Sequence, residues 1–104
     1  QQMLDAIGKI ESYTTGMDGG AFLSDEKTQS AVLMQLLVIG ELSKKVSDKT
    51  KADIDLPWRR IAGFRDYAIH DYFDVDLEVV WETVSERVPE MKKKLEEYIT
   101  AENK

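Results

Sequence analysis

The sequence has 104 residues, 42% hydrophobic and 33% charged, with a formal net charge of −6 at pH 7. A chain of this length holds one domain with a modest core, so we expect a single domain over residues 1–104. The acidic balance argues against a nucleic-acid binder that depends on overall positive charge, but leaves room for a local basic patch. With one histidine and no cysteine, disulfides and thiol nucleophiles are excluded, and we expect no metal site within one chain.

Membrane association is not expected. No apolar run approaches the roughly 20 residues that span a bilayer, and no signal peptide opens the chain. We therefore expect a cytoplasmic protein without a membrane partner. The chain opens at Gln1 within a helical pattern, which suggests that native residues precede it.

The first half of the chain predicts two helices. Apolar residues at helical spacing predict one over residues 2–14, followed by a glycine-containing loop over residues 16–20. Ser24 is the expected N-cap of a second helix running from about residue 25 to residue 47. Gly40 lies inside this helix, where glycine costs roughly 1 kcal/mol relative to alanine. It indicates either close helix packing or room beside a site.

Both prolines of the sequence, Pro57 and Pro89, lie in its second half. Pro57 fits the first turn of a third helix, which is expected to end near Tyr72 and Phe73. Periodicity assigns one stripe of this helix to the interior: Trp58, Ile61, Ala62, Arg65, Ile69 and Tyr72.

A fourth helix is expected after an N-cap at Asp76. Its apolar residues alternate in steps of four and three, as in antiparallel bundles: Leu77, Trp81, Val84, Val88, Met91, Leu95 and Tyr98. Pro89 should kink this helix because it lacks a backbone donor. No segment of the sequence predicts a β-strand. The predicted fold is all-α, an up-and-down four-helix bundle with a kinked C-terminal helix.

The third helix carries the only histidine, His70, five residues after Arg65. A neutral imidazole can accept a proton from a ribose 2′-hydroxyl, and an arginine can hold the phosphate. A regular helix separates the two residues by about 140°. They converge on one phosphate only if the helix ends or distorts between them, or if they act across a dimer. In the alternative interpretation, His70 caps the helix end and Arg65 pairs with Asp66 or another carboxylate.

Several linked motifs occur in order along nearly the whole chain. They are KTQSAV at 27–32, IGE at 39–41, LPWRRIAGFR at 56–65, IHDYF at 69–73 and VDLEVVW at 75–81. With these motifs the sequence resembles the HepT toxins of the HEPN superfamily, the partners of MNT-type minimal nucleotidyltransferase antitoxins. The Arg-x4-His-x-Tyr motif of that family falls on Arg65, His70 and Tyr72.

The resemblance implies a HEPN-like helical homodimer with an interfacial cleft. It implies a metal-independent ribonuclease acting on RNA, either tRNA or mRNA, with Arg65 and His70 as catalytic residues and no cofactor of its own. It also implies that the antitoxin uses ATP as an AMP donor and silences the toxin by adenylylating Tyr72.

One residue departs from the family pattern. The family commonly has a polar amide after the motif arginine, whereas this chain has Asp66. That carboxylate can orient the guanidinium of Arg65 or partly neutralise its attraction for phosphate. RNA affinity must then come from a local patch, for which Arg59 and Arg60 are the main candidates, with Lys44 and Lys45 as further ones.

Two other functions remain open from the sequence. One is a non-catalytic HEPN module that binds a nucleotide or docks a nucleotidyltransferase. The other is a plain helical dimerisation unit, in which substitution of Arg65 or His70 would have only small effects on stability.

Overall fold

A computed structural model describes residues 1–102, and this part of the chain is helical with no strand. The elements in chain order are α1 (Gln2–Thr14), α2 (Gly19–Leu23), α3 (Glu26–Lys44), α4 (Asp48–Asp53), α5 (Trp58–His70), a 3₁₀ turn (Tyr72–Asp74), α6 (Leu77–Glu82), a π-helical segment (Thr83–Arg87) and α7 (Val88–Glu102). The last three are consecutive and are called the C-terminal helix. The predicted all-α fold, with four long helical elements, is confirmed.

The helix α3 is the centre of the packing. It lies against α1 and against α5, and α1 also contacts α7. Residues from all four long elements form one apolar core, whose most deeply buried members include Ile7, Ile10, Val32, Ile39, Val80 and Val88. Removing these side chains from water is the main favourable contribution to folding.

The region between α1 and α3 differs from the prediction. The residues expected to be loop include the start of α2, whose Phe22 is fully buried and packs against Trp81 with ring centroids 5.2 Å apart. Tertiary burial therefore outweighs the low helix propensity of Gly19 and Gly20. Ser24 is not the N-cap of α3, because its hydroxyl donates to the Gly20 carbonyl and closes α2.

Asp25 is the N-cap of α3 instead. Its carboxylate accepts hydrogen bonds from the backbone N–H of Thr28 at 3.1 Å and from the Thr28 hydroxyl at 2.8 Å. These two hydrogen bonds lower the pKa of Asp25, because they favour its charged form. The helix ends at Lys44, before the predicted end, because Ser47 caps a new helix by accepting from the Thr50 N–H at 3.2 Å.

The C-terminal helix keeps its predicted interior stripe. Four of its residues are buried, namely Val84, Val88, Met91 and Leu95. Its N-cap is Asp76, as predicted, since its carboxylate accepts from the Glu78 N–H at 3.0 Å. Near Pro89, where a kink was expected, the structure has the π-helical segment, which ends two residues earlier at Arg87. In residues 1–102, no helix combines the length and hydrophobicity required to cross a membrane.

The prediction for α5 is only partly correct. Ile61 is buried as expected, but Ile69 and Tyr72 are 46% and 45% exposed and do not belong to the core. Ala68 is buried instead. The helix ends at His70, so Tyr72 lies outside it, in the 3₁₀ turn. No described element covers the side of α5 that carries Ile69.

Candidate active site

The site begins at a close approach of two helices. A Cβ atom built on Gly40 of α3 would lie 2.5 Å from the Cβ of Arg65 and 3.1 Å from the carbonyl oxygen of Ile61, both in α5. Real Cβ atoms do not approach another atom as closely as 2.5 Å, so any side chain at this position would force α3 and α5 to shift. Close packing, the first of the two interpretations of Gly40, is therefore correct. It fixes the base of the Arg65 side chain.

Two carboxylates hold the guanidinium of Arg65. Its Nε lies 3.0 Å from Oε2 of Glu41 in an ion pair, and its Nη1 donates to Oδ1 of Asp66 at 3.0 Å. Lys44 binds the same Asp66 oxygen through its Nζ at 3.2 Å. The hydrogen bond from Arg65, and then that from Lys44, lower the pKa of Asp66. Its carboxylate is thus ionised at neutral pH and opposes the positive charge of Arg65.

These two ion pairs orient Arg65 but do not use all of the N–H donors of its guanidinium. A guanidinium has five N–H donors in a planar fork, and within residues 1–102 its Nη2 has no partner. That edge is free to bind a phosphate oxygen. Glu41 was not singled out as a site residue from the sequence, although it lies next to the informative Gly40. Its role became visible only with the packing of α3 on α5.

His70 lies at the other end of the motif. It is the last residue of α5 and is exposed, and its side chain makes no hydrogen bond or ion pair with the described residues. It does not cap the helix, because the Asp71 N–H closes the last turn by donating to the Tyr67 carbonyl at 3.0 Å. The alternative interpretation is therefore right about the pairing of Arg65 and wrong about His70.

The helix is continuous from Arg65 to His70. Five residues of a regular helix correspond to about 140° of rotation and about 7.5 Å of rise. The helical distortion that would let these two side chains converge within one chain is therefore absent from α5. Within one chain, the two side chains point in different directions.

The 3₁₀ turn after α5 presents two aromatic rings to solvent. Tyr72 is 45% exposed and Phe73 is 97% exposed, and their rings meet edge to face at 5.5 Å. The turn is anchored by Tyr67, whose hydroxyl accepts a hydrogen bond from the Asp76 N–H at 3.0 Å. No signal in the sequence pointed to this role of Tyr67, because its partner lies nine residues further along the chain.

Among the candidate basic residues, Lys44 lies beside Arg65, because both bind Oδ1 of Asp66. Arg59 and Arg60 lie exposed in the first turn of α5, and neither forms an ion pair with the described residues. Arg60 borders a cavity between α5 and the C-terminal helix. In residues 1–102, no group of three or more histidine, aspartate or glutamate side chains is placed to hold a metal ion.

Comparison with known proteins gives a consistent result. The family model described as "Ribonuclease HepT-like" matches residues 3–98. The chain is 42% identical over 97 residues to the "Probable ribonuclease HepT" of Thermococcus cleftensis, covering 92% of this chain and 88% of the relative. It is 38% identical over 98 residues to "Putative RNase MJ0127" of Methanocaldococcus jannaschii, covering 93% and 81% of the two chains. No solved structure matches with statistical significance.

The family model spans nearly all of the described residues, including both long helices that hold Arg65 and the turn that carries Tyr72. The chain therefore belongs to the HepT-like ribonuclease family.

Proposed function

We propose that this protein is a metal-independent endoribonuclease toxin that acts as a homodimer and is silenced by adenylylation of Tyr72. The main observation in support of the proposal is how the three side chains of the Arg-x4-His-x-Tyr motif are held and exposed. Its arginine is held in one orientation with an open edge, and its histidine and tyrosine are solvent-accessible. These are the properties that a phosphate-binding group, an acid–base group and a modification site require.

The cleavage step needs only groups of the chain and the RNA. The imidazole of His70 accepts the proton of a ribose 2′-hydroxyl, and the 2′-oxygen attacks the adjacent phosphorus. The bond to the 5′-oxygen breaks, and that oxygen takes a proton from an imidazolium. The products are a 2′,3′-cyclic phosphate and a 5′-hydroxyl. Arg65 stabilises the charge that develops on the phosphoryl oxygens.

A dimer resolves the divergence of Arg65 and His70. Exposed apolar side chains, Ile69, Tyr72 and Phe73, surround the end of α5 and are suited to an interface between two copies. A two-fold axis near this end would bring His70 of one protomer towards Arg65 of the other. Each composite site would hold one imidazole, which accepts the 2′-hydroxyl proton and, as imidazolium, returns it to the 5′-oxygen. Arg59 and Arg60 are proposed as phosphate contacts outside the cleft.

Adenylylation of Tyr72 would block RNA binding because it adds negative charge and volume. The partner, an MNT-type nucleotidyltransferase antitoxin, would transfer AMP from ATP to the Tyr72 hydroxyl and release pyrophosphate. The exposure of Tyr72 supports its access to another enzyme. An AMP group two residues from His70 would fill the cleft and repel the RNA backbone.

Cleavage of RNA by the purified protein in EDTA tests the catalytic half. Wild type should cleave, and His70→Ala should lose activity by about 100-fold or more, because general acid–base catalysis contributes that much. The variant should keep the helical circular dichroism of wild type, since His70 is exposed. No cleavage by wild type would favour the second candidate, a non-catalytic HEPN module that docks the nucleotidyltransferase. Cleavage undiminished in His70→Ala would exclude His70 as the acid–base group.

Intact mass after incubation with the nucleotidyltransferase and ATP tests the regulatory half. Wild type should gain the mass of AMP, and Tyr72→Phe should gain none. Tyr13→Phe is the matched control, because Tyr13 is also partly exposed, at 38%, but lies on α1. Modification that survives in Tyr72→Phe and disappears in Tyr13→Phe would contradict the assignment of Tyr72.

A further inference from the structure

A cavity of about 220 Å³ lies on the side of α5 that does not carry Arg65. It lies between α5 and the C-terminal helix, with α3 as its floor, and is partly open to solvent. Apolar side chains form most of its wall, among them Leu36, Ile39, Leu56, Ile61, Val88 and Met91. For comparison, an apolar cavity of about 150 Å³ is large enough to bind benzene. The volume is therefore sufficient for a small hydrocarbon body.

The interior offers little that could recognise a polar ligand. The one hydroxyl in the wall belongs to Thr83, and it already donates to the Val79 carbonyl at 2.9 Å. A nucleobase placed here would bury several donors and acceptors without partners, which is costly. A body without polar groups fits the interior better.

The rim of the cavity is positively charged. Arg60 from α5 and Arg87 from the π-helical segment both border it, and neither forms an ion pair with the residues that the structure describes. The one carboxylate at the rim, Glu90, is paired with Lys94 at 3.4 Å. Two guanidinium groups without counterions, in a chain of net charge −6, favour an anionic group at the mouth.

The wall of the cavity contains the only described π-helical segment. Both ends of this segment, Thr83 and Arg87, border the cavity, and the Val88 N–H donates to the Thr83 carbonyl across the wider turn. Such segments are rare inside helices and occur frequently at functional sites. This is an observation independent of the charges at the rim.

We propose that the cavity binds an amphipathic carboxylate, with its hydrocarbon chain inside and its carboxylate between Arg60 and Arg87. A straight-chain acid of about eight carbons has the required chemistry: an apolar body without hydrogen-bonding groups and a planar anion that matches the guanidinium fork. The site is separate from Arg65 and His70 and does not depend on the proposed nuclease. Arg60 would then bind a small carboxylate in addition to any contact with RNA.

Titration of the full chain with octanoate, followed by two-dimensional NMR, tests this proposal. We expect saturable binding of one octanoate per chain, with the largest shifts at Ile61, Val88 and Met91. Octanol, which lacks the charge, and acetate, which lacks the chain, should each bind at least about tenfold more weakly. AMP serves as a nucleotide probe and should not compete with octanoate.

Variants of the two rim arginines distinguish binding at a specific site from non-specific hydrophobic binding. Arg60→Gln and Arg87→Gln should each weaken octanoate binding about tenfold, because each removes a charge-assisted hydrogen bond. Both side chains are exposed, so the variants should fold. Arg59→Gln is the matched control, since Arg59 is the neighbouring exposed arginine and does not border the cavity. Its affinity for octanoate should equal that of wild type.

Several results would overturn the proposal. One is the absence of saturation at about 10 mM octanoate. Equal affinity for octanol would remove the role of the arginines, and tighter binding of AMP would assign the cavity to nucleotides. Shifts of the cavity residues that depend on protein concentration and not on octanoate would assign the cavity to a second copy of the chain.

Discussion

The middle and the C-terminal end of α5 hold the two proposed catalytic side chains in opposite ways. Arg65 is fixed by the contact of its Cβ with Gly40 and by ion pairs to Glu41 and Asp66. The His70 side chain makes no hydrogen bond or ion pair with the described residues, and Phe73 in the turn after it is almost fully exposed. The protomer thus completes one half of the site by its own packing and leaves the other half open. From this difference we expect a second copy of the chain to complete the site.

Complementation between inactive variants is the sharpest way to test this difference. Arg65→Ala and His70→Ala should each be inactive alone. Mixed after co-refolding, they should recover about a quarter of wild-type cleavage, because half of the dimers would contain one intact composite site of two. The measurement is RNA cleavage per total protein.

The control is native mass spectrometry of the mixture, in which a heterodimer of the two variants differs in mass from either homodimer and so shows that subunits exchange. If exchange is shown and the mixture of the two variants remains inactive, Arg65 and His70 do not act across the interface. The proposed composite site would then be wrong, whatever the activity of wild type.

The middle of α5, where Arg65 is fixed, should be more sensitive to added volume than its C-terminal end. Gly40→Ala places a methyl group against the Cβ of Arg65 and should destabilise the protein by about 1–3 kcal/mol, the usual cost of overpacking. It should also lower RNA cleavage by displacing Arg65. The free energy of unfolding in urea and the cleavage rate are the two measurements.

Gly63→Ala is the matched control for this substitution. Gly63 lies in the same helix as Arg65, is exposed, and has open space where a Cβ would be. Alanine there should stabilise the protein by roughly 0.5–1 kcal/mol. If the two alanine variants had equal stability, the close approach of α3 and α5 at Gly40 would be refuted.

The two carboxylates on Arg65 should have different roles, and this is the smallest of the expected effects. Glu41 binds Nε and orients the guanidinium, so Glu41→Gln should lower kcat more than it raises KM. Asp66 binds Nη1, which a phosphate can also use, so Asp66→Asn should lower KM for RNA by about two- to fivefold.

Steady-state kinetics on one RNA substrate provides both values. Glu11→Gln serves as the control, because Glu11 is an exposed glutamate in a comparable ion pair, with Lys92 at 3.0 Å, on α1 and α7. Its kcat and KM should match those of wild type. A raised KM in Asp66→Asn would show that Asp66 supports RNA binding, and an unchanged KM would show that it does not compete with RNA.

Local sequence signals predicted the long helices well, because each has apolar residues at helical spacing. The bounds of α1 and the cap at Asp76 agree with the structure for that reason. The errors occur where packing outweighs local preference. Burial of Phe22 makes a helix of a glycine-rich segment, and Ile69 lies at the end of an apolar stripe where no described neighbour covers it.

The sequence by itself determined the helical class, the family motifs and the residues Arg65, His70 and Tyr72, since these depend on residue type and spacing. Only the tertiary structure decided how they are presented. Three features join residues that are distant in the chain: the contact of Gly40 with Arg65, the ion pair of Glu41 with Arg65, and the cavity beside Arg60. Such contacts depend on how whole helices pack, and no local pattern in a single sequence specifies that packing.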